Sequence, residues 1–187
     1  MQYEYAAFVS DCPTALQYFT YNVKLVSPFD QPQNVQNTAD DKPHNIYGLA
    51  KLYYRSDGTI SRTEYLINGQ SHNEHNSAVT NYHPNGTISY IEYWKDGKLH
   101  NEHKPAITLY HSNGTISHIE YWFNGKTHNE HGPALTSYYA NGTISHTEYL
   151  IDGQLHNING PAVTHYHLKG TVSRTEYWVN NKKVDKL

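Results

Sequence analysis

The sequence predicts an all-β fold: an antiparallel meander, or open β-solenoid, of 28-residue hairpin repeats with an N-terminal capping segment. Three observations lead to this prediction. Gly-Thr-Ile or Gly-Thr-Val recurs every 28 residues, Asn-Gly and Asp-Gly pairs recur in the same register, and 18 tyrosines stand in a chain that is only 37% hydrophobic. Because a tyrosine ring is usually covered while its hydroxyl stays wet, stacked sheets suit this composition better than an aliphatic core. The tripeptides begin at Gly58, Gly86, Gly114, Gly142 and Gly170.

Residues 1–43 lie outside the repeat and are predicted to form a cap and a linker. The apolar, tyrosine-containing segment 15–26 predicts one or two strands that cover the first repeat, and the Pro-, Gln- and Asn-rich stretch after it predicts a surface loop. The repeat array is predicted over 44–183, as four full repeats with a partial one at each end. Residues 184–187 form a tail.

Each repeat is expected to contain two strands, two hairpin turns and a kink. In the third copy, Thr115–Trp122 predicts a strand, and Asn113-Gly114 and Asn124-Gly125 each predict a two-residue turn because both residues tolerate positive φ. The segment 128–134 predicts a kink, since its proline cannot donate to a ladder and its glycine permits a bend. A second strand is expected from about Ala134 to Tyr139.

Two rows of tyrosines are expected to stack from repeat to repeat and to supply the core. One row is Tyr65, Tyr93, Tyr121, Tyr149 and Tyr177, and the other is Tyr54, Tyr82, Tyr110, Tyr138 and Tyr166.

The pattern Tyr-Trp-x-x-Gly-Lys-x-His-Asn-Glu-x-Gly-Pro-Ala resembles the MORN-like repeats, in the variant abundant in giant viruses and in some bacterial and phage proteins. The matching stretches are Trp94–Ala106, Trp122–Ala134 and, less fully, Leu150–Ala162. This resemblance implies a β-hairpin repeat used mainly as a scaffold or protein-binding surface, with lipid contact proposed for some members, and it implies no catalytic residue. The unit here is longer than the ordinary MORN unit, and Asn76-Ser77 and Gly48-Leu49 break the Gly-Pro signature in two copies.

Composition and charge exclude several classes of function. The formal net charge of −3 lacks the basic surplus typical of nucleic-acid binders. The chain has neither an apolar run long enough to span a membrane nor the start of a signal peptide. A single cysteine forbids an intrachain disulfide framework. We therefore expect a cytoplasmic protein by default, or an extracellular one if the chain is a fibre subunit, and no cofactor.

The chain has 14 histidines, and six of them lie in repeated His-Asn-Glu-His segments. Because an imidazole can donate and accept hydrogen bonds at once, we predict that these residues bridge backbone groups freed by the kink. Metal binding is the less favoured alternative, since imidazole suits zinc, copper and nickel. The candidates are His72, His75, His100, His103, His128 and His131.

Positions that vary within the repeat register are the predicted interaction surface, because fixed positions are most simply framework. One varied row is Tyr53, Asn81, Leu109, Ser137 and His165, and the other is Arg62, Tyr90, His118, His146 and Arg174. The second row precedes a glutamate row by two residues and could pair with it. A repeated row of equivalent carboxylates does not suit a glycosidase, which needs two nonequivalent ones. We therefore predict no enzymatic activity.

Three Asn-Gly-Thr segments match the N-glycosylation sequon, and they start at Asn85, Asn113 and Asn141. Turn chemistry alone also explains them, because Asp57 and Lys169 occupy the same position in other copies.

The function predicted first is a scaffold that binds a protein partner. A self-assembling filament subunit, linked head to tail through the N-terminal strand, is one alternative, because an open sheet has two edges that can template further strands. A viral or phage-type inhibitor of a host protein, or an antitoxin, is another. A His-rich metal-binding protein is the last.

Overall fold

A computed structural model describes residues 51–186 in full, together with the strand backbone at β1 (Val35–Gln36), β2 (Thr38–Ala39) and β3 (Lys42–Pro43). The predicted capping strands at 15–26 and the predicted start of the array at residue 44 lie outside the described residues. Strand β1 falls in the stretch expected to be a loop, and it pairs with the first strand of the array.

Every repeat contributes one long strand, a short hairpin of two strands and a return strand. The array opens with the return strand β4 (Lys51–Tyr54). The first two repeats are β5 (Ile60–Glu64), β6 (Leu66–Ile67), β7 (Gln70–Ser71) and β8 (Val79–Tyr82), then β9 (Ile88–Glu92), β10 (Trp94–Lys95), β11 (Lys98–Leu99) and β12 (Ile107–Tyr110). The next two are β13 (Ile116–Glu120), β14 (Trp122–Phe123), β15 (Lys126–Thr127) and β16 (Leu135–Tyr138), then β17 (Ile144–Glu148), β18 (Leu150–Ile151), β19 (Gln154–Leu155) and β20 (Val163–Tyr166). The array closes with β21 (Val172–Val179) and β22 (Lys182–Val184).

The long strands and return strands form one open antiparallel sheet in the order β1-β4-β5-β8-β9-β12-β13-β16-β17-β20-β21-β22. Strand β22 pairs with the C-terminal end of β21, at Tyr177, Trp178 and Val179. Trp178 pairs with Lys183 there just as Trp94 pairs with Leu99 in the short hairpin of an earlier repeat. The prediction of an all-β antiparallel meander is confirmed.

The turn of each short hairpin has the predicted geometry. In the third full copy φ is 50° at Asn124 and 80° at Gly125. Positive φ at both central residues is the type I′ pattern, whose twist matches that of the flanking strands. The predicted long strand is interrupted at Tyr121, whose N–H donates to the Ala134 carbonyl at 2.7 Å as the chain leaves the main sheet.

The other turn of the repeat differs from the two-residue turn that was expected. The backbone carbonyl of His83 accepts from the Gly86 N–H at 2.9 Å, and the His83 N–H donates to the Thr87 carbonyl at 2.7 Å. Only the glycine of this turn has positive φ. This is a longer turn that ends in a glycine bulge, and it shifts the strand register by one residue after Asn81.

Small side chains, rather than tyrosines, occupy the most buried positions. Ala78, Ala106, Ala134 and Ala162 are fully buried, and the threonine row on the same sheet face is at most 9% exposed. These threonines are Thr63, Thr80, Thr108, Thr136, Thr147 and Thr164. The two tyrosine rows are half-buried beside them. Burial raises the pKa of Tyr65, Tyr110 and Tyr138, with a smaller contribution from the neighbouring Tyr82, Tyr93 and Tyr121.

Candidate functional site

The two varied rows predicted from the sequence merge into a single row across the sheet, which we call the variable row. Each member stands directly opposite the next on the neighbouring strand. The row runs Tyr53, Arg62, Asn81, Tyr90, Leu109, His118, Ser137, His146, His165 and Arg174. At about 4.8 Å per strand, these residues span roughly 43 Å.

Members of the variable row contact one another across the strands. Arg62 Nη1 donates to the Tyr90 hydroxyl at 3.3 Å, and its guanidinium carbon lies 5.9 Å from the centre of the Tyr53 ring. His118 Nδ1 lies 2.8 Å from Ser137 Oγ. These contacts fix side chains that are otherwise partly exposed, so the row is a presented surface rather than a core.

A row of glutamates on the same sheet face supports the variable row. His118 Nε2 donates to Glu120 Oε1 at 2.8 Å, and the Trp122 indole donates to Glu120 Oε2 at 2.6 Å. Two other glutamates pair in the same way with the residue two positions before them. Glu148 pairs with His146 at 2.7 Å, and Glu176 pairs with Arg174 at 2.6 Å. Arg62 pairs in this way with Glu64. The predicted Glu–His and Glu–Arg pairs are therefore confirmed at these positions.

The second repeat departs from this pairing because its varied residue is Tyr90. Glu92 accepts from the Trp94 indole at 2.8 Å, while the Tyr90 hydroxyl contacts Arg62 of the preceding repeat.

Hydrogen bonds lower the pKa of two of these glutamates. At Glu120 the hydrogen bond from His118 contributes most, burial opposes it, and the Trp122 indole adds to the lowering of the pKa. At Glu176 the hydrogen bond from Lys183 contributes most, with smaller lowering effects from Trp178 and Arg174. Both carboxylates are therefore favoured in the charged form, which accepts two hydrogen bonds at once.

The first histidine of each His-Asn segment connects one repeat to the next. Its Nδ1 accepts the backbone N–H of the first turn residue in the following hairpin: Asp96 to His72 at 3.1 Å, Asn124 to His100 at 3.2 Å, Asp152 to His128 at 3.2 Å and Asn180 to His156 at 3.3 Å. The predicted hydrogen bonding to backbone is confirmed for these first histidines. The expected partner is wrong: the imidazole accepts from the neighbouring turn and not from groups freed by the kink, because stacking brings that turn over the ring.

The second histidines of these segments, His75, His103 and His131, lie exposed in the loops. The stretch 51–186 brings together no group of three or more histidine, cysteine, aspartate or glutamate side chains placed to hold a metal ion. Metal binding by the six loop histidines stays a prediction.

The sequon asparagines shape the bulged turns. Asn113 Oδ1 accepts from the Thr115 N–H at 3.0 Å and from the Thr115 hydroxyl at 2.7 Å, and Asn85 has the same pair of contacts. Asn85 Nδ2 also donates to the Ser112 carbonyl of the next repeat at 3.0 Å. Asn85, Asn113 and Asn141 are exposed, and glycosylation there stays a prediction.

Comparison of the chain with protein-family models and with curated proteins finds no match. Within residues 51–186 no helix has the length and apolar character needed to cross a membrane.

Proposed function

We propose that this protein is a non-enzymatic MORN-like repeat scaffold, and that its variable row binds a protein partner. The observation that carries the proposal is the register of the sheet, which joins all ten varied positions into one line across the repeats. The neighbouring positions repeat glutamate in every copy, which suits a framework.

The residue types of the variable row suit protein recognition. Tyrosine and arginine are enriched among residues that dominate binding energy, and Tyr53, Arg62 and Tyr90 are three of the first four residues at one end of the row. Strands hold these side chains more rigidly than loops would, which lowers the entropy lost on binding.

The size of the surface also fits a protein partner. The strip of sheet that carries the variable row and the glutamate row has a face area of roughly 550–600 Å², from the strand spacing and the rise per residue. A standard complex buries about 800 Å² of accessible surface on each partner. An elongated partner that also contacts the flanking positions would reach that area.

Catalysis is not part of the proposal. The carboxylates of Glu120 and Glu148 each accept a hydrogen bond from the histidine two residues earlier on their own strand. Acid–base catalysis by two carboxylates needs a proton donor beside an ionised partner, whereas both of these groups act as hydrogen-bond acceptors.

The experiment compares partner capture by the native chain with capture by two variants. Tyr90→Ala should lower the affinity of the captured protein at least tenfold, because it removes one of the two tyrosine side chains of the row. His103→Ala is the matched control, since His103 is 87% exposed and lies outside the row. Equal affinity for all three proteins would contradict the proposal.

A second candidate function is self-assembly, and the open edge of β21 favours it. Residues Val172–Glu176 pair with β20 on one side, whereas the equivalent part of β17 is paired with strands on both sides. Val172 is 57% exposed at this edge. Such an edge can accept a strand from another copy.

Light scattering across a range of protein concentrations tests assembly. If the edge drives it, mass should rise with concentration, and Thr175→Pro should abolish the rise because proline blocks pairing on that strand. Thr171→Pro, in the turn before the strand, is the control that should leave assembly intact. A constant monomer mass for the native chain would exclude this function.

A further inference from the structure

Two adjacent members of the variable row are both histidines, and their rings meet. His146 on β17 stands directly opposite His165 on β20. The two Nδ1 atoms are 3.1 Å apart, and the ring centroids are 4.3 Å apart with the planes tilted by 52°. Two imidazole nitrogens therefore lie side by side within the variable row.

The hydrogen bond on the far side of His146 sets its tautomer. His146 Nε2 lies 2.7 Å from Glu148 Oε1, and a carboxylate can only accept, so Nε2 carries the proton. In the neutral ring, the Nδ1 atom of His146 is then the acceptor in the contact with His165, whose Nδ1–H donates. A metal ion takes the place of that hydrogen when the neutral His165 ring carries its proton on Nε2 instead. Histidines that bind metals usually donate their other N–H to a carboxylate in this way.

We propose that His146 and His165 chelate a late first-row divalent metal ion through their two Nδ1 atoms, with Cu²⁺ bound most tightly. At metal–nitrogen distances of about 2.0–2.1 Å, a nitrogen separation of 3.1 Å gives a ligand angle of roughly 95–100°. This angle lies between the square-planar and tetrahedral values, so the histidines fill two adjacent ligand positions. Water completes the coordination, because the His146 side chain is 18% exposed.

The charges around the pair tolerate a cation. Glu148 contributes a negative charge behind His146, and the neighbour on its other strand is the neutral Ser137. Arg174 stands opposite His165, but its guanidinium is paired with Glu176 at 2.6 Å.

The chain contains its own control for this site. One repeat earlier, His118 has the same hydrogen bond from Nε2 to Glu120, at 2.8 Å, but its cross-strand neighbour is Ser137, with Oγ 2.8 Å from Nδ1. The two pairs therefore differ in one residue, because His165 offers a second nitrogen where Ser137 offers a hydroxyl. The site uses none of the six histidines of the His-Asn-Glu-His segments, and although it lies within the variable row, its test needs no partner protein.

The test is titration of the full chain with CuCl₂, followed by calorimetry and by nitrogen hyperfine splitting in electron paramagnetic resonance. We expect one tight equivalent with two nitrogen ligands, and a higher melting temperature in its presence. His165→Ser copies the His118–Ser137 pair and should weaken that equivalent at least tenfold. Adding Ser137→His to this variant should restore tight binding, because the new side chain stands between His118 and His146.

The control variant His103→Ser removes an exposed loop histidine and should leave the tight equivalent unchanged. Metal-free melting of every variant checks that it folds. A native chain without a tight equivalent, a His165→Ser chain that keeps it, or a His103→Ser chain that loses it would each overturn the proposal. A folded double variant that fails to regain tight binding would overturn it as well. Zn²⁺ in place of Cu²⁺ should bind the same pair more weakly.

Discussion

The glutamates beside the variable row show how a polar side chain can stabilise the sheet and position its neighbours. Each oxygen of Glu120 has its own donor, His118 on one side and Trp122 on the other. A half-buried carboxylate with both oxygens satisfied loses little on leaving water, and it orients the histidine that it accepts from. The same residue therefore stabilises the strand and positions a member of the variable row.

Glu120 should make the stability of the protein depend on acid pH. Its pKa is lowered in the folded state, so its contribution is present above the unfolded value of about 4.3 and is lost as pH falls through the folded pKa. This loss falls roughly between pH 5 and pH 3. Over that range the free energy of unfolding should therefore fall more for the native chain than for the Glu120→Gln variant. Urea denaturation at each pH measures the difference, and an identical loss in both proteins would contradict the assignment.

The hairpin turns show which local features the sequence predicts well. Asn124-Gly125 forms the expected turn because few other residue pairs accept positive φ at both positions. The bulged turn at Asn85-Gly86 contains the same dipeptide, yet it differs. The hydrogen bonds of His83 and Thr87 decide that turn, and a dipeptide pattern does not contain them.

Gly125→Ala should destabilise the protein through its backbone alone. The φ of 80° is unfavourable for alanine, at a cost of about 1–2 kcal/mol, while the added Cβ would come no closer than 3.8 Å to Lys98. Gly132→Ala is the control, because Gly132 has no positive φ and the added Cβ would lie 3.7 Å from Asn129. Thermal denaturation should show a clear drop in melting temperature only for the first variant. A comparable drop for both would show that packing, and not φ, is responsible.

The merging of two varied rows into one could not be predicted from the sequence. Leu109 stands directly opposite His118 only because the bulge shifts the register by one residue between Leu109 and Tyr110. A shift of one residue would have put the two rows on opposite faces. The proximity of His146 and His165 follows from the same register, so the sequence pattern alone missed it.

The contacts between hairpins link neighbouring repeats beyond the main sheet. The Gly125 N–H donates to the Leu99 carbonyl at 2.9 Å, and the Asn101 N–H donates to the Trp122 carbonyl at 3.1 Å. His100 adds the third link, to the Asn124 N–H. Each repeat therefore orders its neighbour, as in other linear arrays.

His100→Ala should loosen the boundary between the second and third full repeats. The His100 side chain is only 9% exposed, so we expect a loss of about 1–3 kcal/mol. Amide hydrogen exchange at Asn124 should speed up at least tenfold, whereas exchange at Asp152, which has its own histidine, should change little. Unchanged exchange at Asn124 would remove the proposed role of this hydrogen bond.

Residues 51–186 form an array whose length is set by the number of 28-residue units. Because each unit contacts its neighbours, stability should grow with the number of units rather than depend on one central core. The buried alanines and threonines recur in every repeat, which explains how a chain poor in aliphatic residues folds.

Deleting residues 114–141, one full period, should leave a folded sheet that melts at a lower temperature. Asn113 would then join Gly142 and rebuild the same bulged turn. A deletion shortened by one residue should unfold the array around the junction, because the side chains would change faces. Circular dichroism and thermal melting distinguish the two, and equal damage from both deletions would contradict the array description.

The variable row is the surface on which we propose that a protein partner binds. The most direct measurement replaces Tyr90 with a photo-cross-linking amino acid and compares the adducts with those from the same replacement at His103. We expect a discrete adduct with a second protein from position 90 and none from position 103. Adducts of equal yield from both positions, or from position 103 alone, would contradict it.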